Sequence, residues 1–494
     1  MEIMLPLLNA LLFIAVSVSI GRAMLPAQNV IARSRGEEFA VAYTLGLAAI
    51  VVLCNLVFLV GLHLTVAVGI SLALASYALY YQRQRRAEFA PSPFTRATTY
   101  ILLAVGLLSL IATVAYPINE FDAIYHWAYR GKVLLFNGTP LNEAITGIVS
   151  NDNFGRVVTH PNYPLGVPII EAYSSYFSGW SERWVQLPLG LWAACMPWLV
   201  AFGLRNLSSN AIRLAAVATA ATPILYVTNF TENGFADLLN AGTSSSMMLG
   251  GGSDLAVMCL LTLSAALFLR ATHSNCKRLA IAAGVALAAT AAMKNEGLAL
   301  LGVCMIACVV ALFLENRPTR TIGFFAASAI ICVSPWLGIR AQIPAIDENY
   351  SEQLTLENVI HFAGGGNELI EKSPLAMSGR QQIDEADIPT RRSLVSAAFV
   401  DEFFDMRSWG LLWVLAAISI GLMFMNLESF NYRWLTLVVC GGVLLYFLIL
   451  LVTPWNFPSL RDKGIPERLL VHLVGPIMLL VGHALSSVER KLNP

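Results

Sequence analysis

The feature that most constrains this chain is the recurrence of apolar runs of about 17 to 22 residues, the length a helix needs to cross the hydrocarbon core of a bilayer. Such runs begin near residues 4, 40, 63, 98, 188, 211, 254, 278, 297, 321, 409, 433 and 468, thirteen in all. Within hydrocarbon every backbone N–H and C=O must be satisfied by the chain itself, so runs of this length fold as helices. Of the 494 residues, 57% are hydrophobic and 13% charged, against about 25% charged in an average soluble domain. The expectation is an all-α polytopic membrane protein of about thirteen transmembrane helices. No basic residue precedes the first run and polar Pro26-Ala27-Gln28-Asn29 follows it, a pattern that favours a retained helix over a cleaved signal peptide.

Charges balance at 31 against 31, so the whole-chain field suggests neither nucleic acid nor an acidic polymer as partner. Seven of the eight cysteines lie in apolar stretches and Cys276 sits in a short basic loop. Neither a disulfide framework nor a metal-ligand spacing is present in the sequence.

Basic residues in short loops mark the cytoplasmic side of membrane proteins. Here they collect at Arg33/Arg35, Arg83/Arg85/Arg86, Arg205/Arg213, Lys277/Arg278, Arg317/Arg320, Arg433 and Arg490/Lys491, which alternate as cytoplasmic turns if the N-terminus lies outside. The same alternation puts residues 117–187, 229–253, 293–296, 339–408 and 453–467 on the extracytoplasmic face. Two of these segments far exceed what a helix connection needs, and loops of that size usually carry function. The first holds Tyr125, Trp127, Tyr129, Trp180 and Trp184, so its helices are expected along the interface. The second, from Gln342 to Arg407, is more polar, contains Gly364-Gly365-Gly366 and reads as a lid. The resulting division is residues 1–97 as N-terminal helices, 98–338 as a core, 339–408 as the second outer loop and 409–494 as C-terminal helices.

Four polar groupings on that face are candidates for chemistry. If residues 121–136 are helical, Asp122, His126 and Tyr129 or Arg130 share one side. A carboxylate with an imidazole at i+4 serves as a general base or metal ligand, whereas the plainer reading makes Asp122 a helix N-cap and His126 an interfacial residue. In Thr159-His160-Pro161-Asn162-Tyr163-Pro164-Leu165-Gly166-Val167-Pro168 the three prolines present His160 and Tyr163 for an acceptor or simply form a stiff turn. Glu232, Asp237, Lys294 and Glu296 stand at the mouths of apolar spans, which implies a cavity or a salt bridge from Lys294 to Asp237 or Glu232. Arg468 opens the last span after Arg461, Asp462 and Glu467. Its planar fork at a helix start suits a phosphate, or it anchors at the interface or pairs with Glu467 or Asp462.

In three of its patterns the chain resembles the GT-C superfamily of polytopic glycosyltransferases that use polyprenyl-phosphate sugars, particularly the bacterial protein-mannosyltransferase-like and lipid A glycosyltransferase-like branches. They are Phe121-Asp122-Ala123 with Tyr125-His126-Trp127 and Gly131-Lys132, then His160-Pro161-Asn162-Tyr163-Pro164-Leu165, then Gly234-Phe235-Ala236-Asp237 with Lys294-Asn295-Glu296-Gly297. The resemblance spans roughly residues 98–300 and is looser around Arg468.

It implies a GT-C-like bundle in a bacterial inner membrane, with Asp122 as catalytic base and Arg468, Arg461 and Lys294 on the carrier phosphate. His126, Trp127, Lys132, His160, Tyr163, Glu232, Asp237 and Glu296 would line the sugar and acceptor sites. The implied partners are a polyprenyl-phosphate sugar and a glycan, lipid or protein acceptor. No cofactor is expected, and the use of a divalent metal stays open. In that superfamily the large loop usually follows the first helix; here it follows the fourth, which implies added N-terminal helices.

Two other classes compete. A secondary transporter would account for many spans with charges at their mouths, but such proteins commonly show two related halves, and no internal repeat is visible here. A non-catalytic component of polysaccharide assembly or export would keep the helices without needing Asp122.

Overall fold

A computed structural model of the chain describes residues 4–27, 33–83, 89–115, 118, 123–141, 162–226, 253–314, 319–343, 354–366, 390–425, 430–453 and 464–492. Among them every regular element is helical. The long helices are α1 (Met4–Met24), α2 (Arg35–Leu59), α3 (Leu64–Arg83) and α4 (Arg96–Ala115). A π-helical segment (Ala123–Ala128), α5 (Tyr129–Asn137) and α6 (Gly166–Ser174) follow, then α7 (Leu187–Gly203) and α8 (Ser209–Ala220). The remainder comprises α9 (Asp254–Ser274), α10 (Lys277–Ala291), α11 (Asn295–Leu314), α12 (Thr319–Arg340), α13 (Leu356–Ala363) and α14 (Arg391–Phe404). It closes with α15 (Leu412–Met425), α16 (Phe430–Val452), α17 (Gly464–Leu470), a single 3₁₀ turn and α18 (Val474–Leu492).

Each predicted span corresponds to a helix. Among the described residues nine helices are long and apolar enough to cross a bilayer, with residues 465–492 forming one 28-residue run. The other four are shorter: α7 has 17 residues, α10 has 15, α15 has 14 and α8 has 12. The run predicted from 409 begins at Leu412 because Gly410, at φ +56, breaks it from the preceding turn Met406–Trp409. That left-handed conformation is one glycine adopts without steric cost. The chain is an integral membrane protein.

At the centre stands α9, with every residue from Asp254 to Ala271 buried, as expected of a helix that is apolar on all sides. It packs against α7, α10 and α18. Outer helices turn apolar side chains outward: Leu103, Leu107, Leu108 and Ile111 on α4, and Ile306, Val309 and Phe313 on α11, are exposed. Such surfaces suit lipid tails. Helices α1 and α2 cross where Ser17 and Gly21 face Ala42 and Gly46, so closely that a Cβ on either glycine would meet the other helix's backbone. Small residues four apart on both helices are the usual way membrane helices reach such contact.

Side-chain contacts divide the bundle into two ends. At one end Arg22 and Arg33 meet Glu38 at 2.7 and 3.0 Å, Arg205 meets Glu37 at 3.4 Å, and Arg270 donates to Asn206 at 2.7 Å. Glu37 also closes a capping box with Ser34 at the start of α2. The opposite end gathers the first long connection: Asn9 Nδ2 donates to Ser174 O at 2.6 Å, Leu64 N–H to Gly138 O at 2.7 Å and Tyr176 Oη to Thr65 Oγ1 at 2.8 Å. There the buried Arg391 of α14 donates to Leu450 O and Leu451 O at 2.8 and 2.9 Å, satisfying carbonyls that the end of α16 leaves open.

Candidate functional site

The site is built at this second end, where chain direction brings together the starts of α9, α11 and α17 and the ends of α10 and α16. Asp254 opens α9 and is 2% exposed. Its Oδ1 accepts from Lys294 Nζ at 2.6 Å and from His472 Nε2 at 2.9 Å, and its Oδ2 accepts from Arg468 Nε at 3.0 Å. Lys294 reaches it from the turn between α10 and α11, and also lies 3.4 Å from Glu296 Oε1. Arg468 lies on α17, His472 in the 3₁₀ turn after it, and Tyr446 near the end of α16 hydrogen-bonds His472 Nδ1 at 2.6 Å. Three helical elements and one turn thus deliver one carboxylate, two cations and an imidazole to one point. A charge this deep is costly unless it is paired and hydrogen-bonded, and here both carboxylate oxygens are.

A second grouping lies on the first long connection. His126 and Trp127 are both buried and both meet Tyr163, with ring centroids 5.6 and 5.7 Å apart. The helix expected over residues 121–136 is therefore of two kinds: π over Ala123–Ala128, then α over Tyr129–Asn137. Wider winding changes which neighbours share a face, and two consecutive side chains now reach one ring; single π turns occur frequently at functional sites. Lys132 Nζ lies 3.2 Å from Glu182 Oε1 and 5.2 Å from the Trp180 ring centroid. Behind it the buried Glu171 of α6 has, among the described residues, no hydrogen-bond partner on either carboxyl oxygen. Burial raises its carboxyl well above the ordinary carboxylate range, with Lys132 pulling the other way.

The two groupings are joined through the backbone. Gly166 N–H, at the start of α6, donates to Ala292 O at 2.7 Å, and a Cβ at 166 would fall 2.6 Å from that same oxygen. Tyr163 lies three residues before this junction and Lys294 two after it.

Of the residues singled out from sequence, Lys294, Glu296 and Arg468 come together around Asp254, and His126, Trp127 and Tyr163 form the aromatic group. Lys132 is engaged in its own ion pair. Asp122, His160, Glu232, Asp237 and Arg461 lie outside the described residues. Lys294 bridges Asp254 and Glu296, whereas Asp237 and Glu232, its expected partners, lie outside the described residues. Asp254 itself was readable as an ionisable residue at a span mouth, after Gly250-Gly251-Gly252-Ser253. His472 and Tyr446 carried no signal, each being a lone polar aromatic in an apolar run. Among the described residues no group of three or more His, Cys, Asp or Glu side chains is placed to hold a metal ion.

No protein-family model matches the chain, and neither does any curated protein. Solved structures do. The archaeal oligosaccharyltransferase AglB from Archaeoglobus fulgidus, in complex with an inhibitory peptide and a dolichol-phosphate, is 12% identical over 80% of this chain and 51% of its own, with a TM-score of 0.38. The Archaeoglobus fulgidus oligosaccharyltransferase in complex with Zn and sulfate is 13% identical over 79% and 49%, with a TM-score of 0.39. The chain spans about half the length of these proteins.

Proposed function

We propose that the chain is an inverting glycosyltransferase of the GT-C type. It moves a monosaccharide from a polyprenyl-phosphate carrier to a glycan, lipid or protein acceptor on the extracytoplasmic face of a bacterial inner membrane. The observation that carries this reading is the junction of the two groupings. The Gly166–Ala292 hydrogen bond of 2.7 Å ties the segment bearing the aromatic rings of the first long connection to the turn bearing Lys294, one of the two cations, at one end of an apolar bundle.

The chemistry asks for these parts. A sugar hydroxyl is a poor nucleophile, so a base takes its proton as the new bond forms, while cations stabilise the departing phosphate. In this reading Asp122 is the base, and one in-line displacement inverts the anomeric centre. Arg468 and Lys294, with Arg461, hold the carrier phosphate. His126, Trp127, Lys132, His160, Tyr163, Glu232, Asp237 and Glu296 shape the sugar and acceptor sites; no cofactor is required, and the use of a divalent metal stays open. The carrier enters laterally from the bilayer into the core at residues 98–338, beneath a lid at 339–408.

The test is release of free polyprenyl phosphate from a panel of lipid-phosphate sugars by the purified protein in lipid discs, with surface-glycan extract as acceptor, comparing wild type with Asp122→Asn. Release that disappears in Asp122→Asn is expected. A folded wild type inactive with every donor, or a variant equal to it, would return Asp122 to a helix cap and favour transport.

A further inference from the structure

We infer that Asp254 is a positioning residue for phosphate recognition: from the root of the cluster it aims Lys294 and Arg468, while His472 and Tyr446 fix its own orientation. The inference rests on the assignment of Lys294 and Arg468 as phosphate-binding groups.

An ionised carboxylate only accepts hydrogen bonds. Asp254 takes Lys294 and His472 on Oδ1 at 2.6 and 2.9 Å and Arg468 on Oδ2 at 3.0 Å, so its plane is set from three elements. Because the carboxylate accepts, His472 donates from Nε2; with that proton placed, a neutral ring offers Nδ1 as acceptor and Tyr446 donates its O–H there at 2.6 Å. This fixes the tautomer through the hydrogen-bond network, as a carboxylate and a second partner fix a metal-binding histidine. The chain runs in one direction, from the Tyr446 hydroxyl through the imidazole to the carboxylate.

Exposure rises along the same line. His472 is 0% exposed and Asp254 2%, whereas the side chains of Lys294 and Arg468 reach 9% and 25%. The acceptor lies deepest and the cations nearer the surface. Joining helices does not require this arrangement, since apolar side chains of similar volume pack as well or better than a buried ion pair. What a shared carboxylate adds is fixed spacing. Lysine and arginine carry much rotamer entropy, and pinning both before an anion arrives removes that cost from binding.

The experiment uses the full chain in lipid discs with polyprenyl monophosphate as probe, and two readouts. Nitrogen NMR of ring-labelled histidine, with the His472 signal assigned by its loss in His472→Gln, is expected to show an Nε2-protonated neutral ring that shifts in Asp254→Asn. Phosphorus NMR titration is expected to show Asp254→Asn weakening the probe's binding by about ten- to a hundredfold, the range that loss of an outer-shell partner costs at metal sites. His472→Gln, which keeps a donor at the Nε2 position, is expected to retain more affinity than His472→Leu, and Tyr446→Phe to lose only part. Unchanged affinity in a folded Asp254→Asn, or an Nδ1-protonated His472, would overturn the inference. A wild type that binds no probe would sink the phosphate assignment, and the histidine signal alone would then decide whether Asp254 orients the cluster.

Discussion

The ammonium of Lys294 lies 2.6 Å from Asp254 Oδ1, closing a contact across 40 residues between the turn after α10 and the first turn of α9. Arg468 and His472 bind the same carboxylate, so the cluster has a hub and the two ends of any pair are not equivalent. Lys294→Met leaves Asp254 with two partners and is expected to destabilise by about 1–3 kcal/mol, the cost of one lost partner at a buried polar group. Asp254→Ala leaves two cations facing each other and is expected to cost about 3–5 kcal/mol, as breaking a buried ion pair does. Thermal unfolding in detergent ranks them; equal losses, or the reverse order, would show that Asp254 is not shared.

The crossing of α1 and α2 makes a second prediction. A Cβ at Gly46 would fall on the backbone of Ser17, and one at Gly21 on that of Ala42. Gly46→Val is expected to force the helices apart and cost about 1–3 kcal/mol, the range for overpacking. Gly69→Ala on α3 meets nothing within 4 Å and serves as control. Cysteine crosslinking between α1 and α2, together with thermal midpoints, reads both; a Gly46→Val protein as stable as Gly69→Ala would refute the close crossing.

Hydrophobic run length carried the helix list because every predicted run corresponds to a helix, from Met4 to the run through Leu492. It carried α8 and α10 less well: these 12- and 15-residue helices lean on protein neighbours as well as lipid, so their lengths need not match a bilayer. The site was legible where a charge interrupts apolar sequence, as at Lys294, Glu296 and Arg468. Asp254 obeyed the same rule but sat at the first residue of a span and read as its boundary. Its partner could not be read, because Arg468 lies 214 residues away and only tertiary packing brings them together. The π turn at Ala123–Ala128 was equally out of reach, since the expected pattern of Asp122, His126 and Arg130 assumes α winding.

Arg468 presents a third case. Its Nε donates to Asp254 at 3.0 Å, a bond that a lysine ammonium at the same position reproduces poorly while keeping the charge. Under the proposed reaction Arg468→Lys is expected to lose about 1.5–3 kcal/mol, the value of a hydrogen bond to a charged group, or about ten- to a hundredfold in kcat/KM for the lipid donor. Acceptor KM is expected to stay near wild type. A rise confined to acceptor KM would move Arg468 away from the carrier phosphate.

Glu171 sets the expected response to pH. Its carboxyl is buried against α5, where a Cβ on Gly131 would come within 2.7 Å of Oε2, and among the described residues neither oxygen has a hydrogen-bond partner. Burial therefore holds its folded-state pKa well above the ordinary 4.5, only partly offset by Lys132. The contribution to stability is fully present below the unfolded-state pKa. It falls by about 1.4 kcal/mol for each pH unit above it, and is lost once the pH passes the folded-state pKa. Glu171→Gln cannot ionise and keeps the shape of the neutral acid, so its thermal midpoint is expected to match wild type at about pH 4.5 and to exceed it increasingly towards pH 8. Parallel curves for the two proteins across that range would mean that Glu171 is already ionised in the fold and paired.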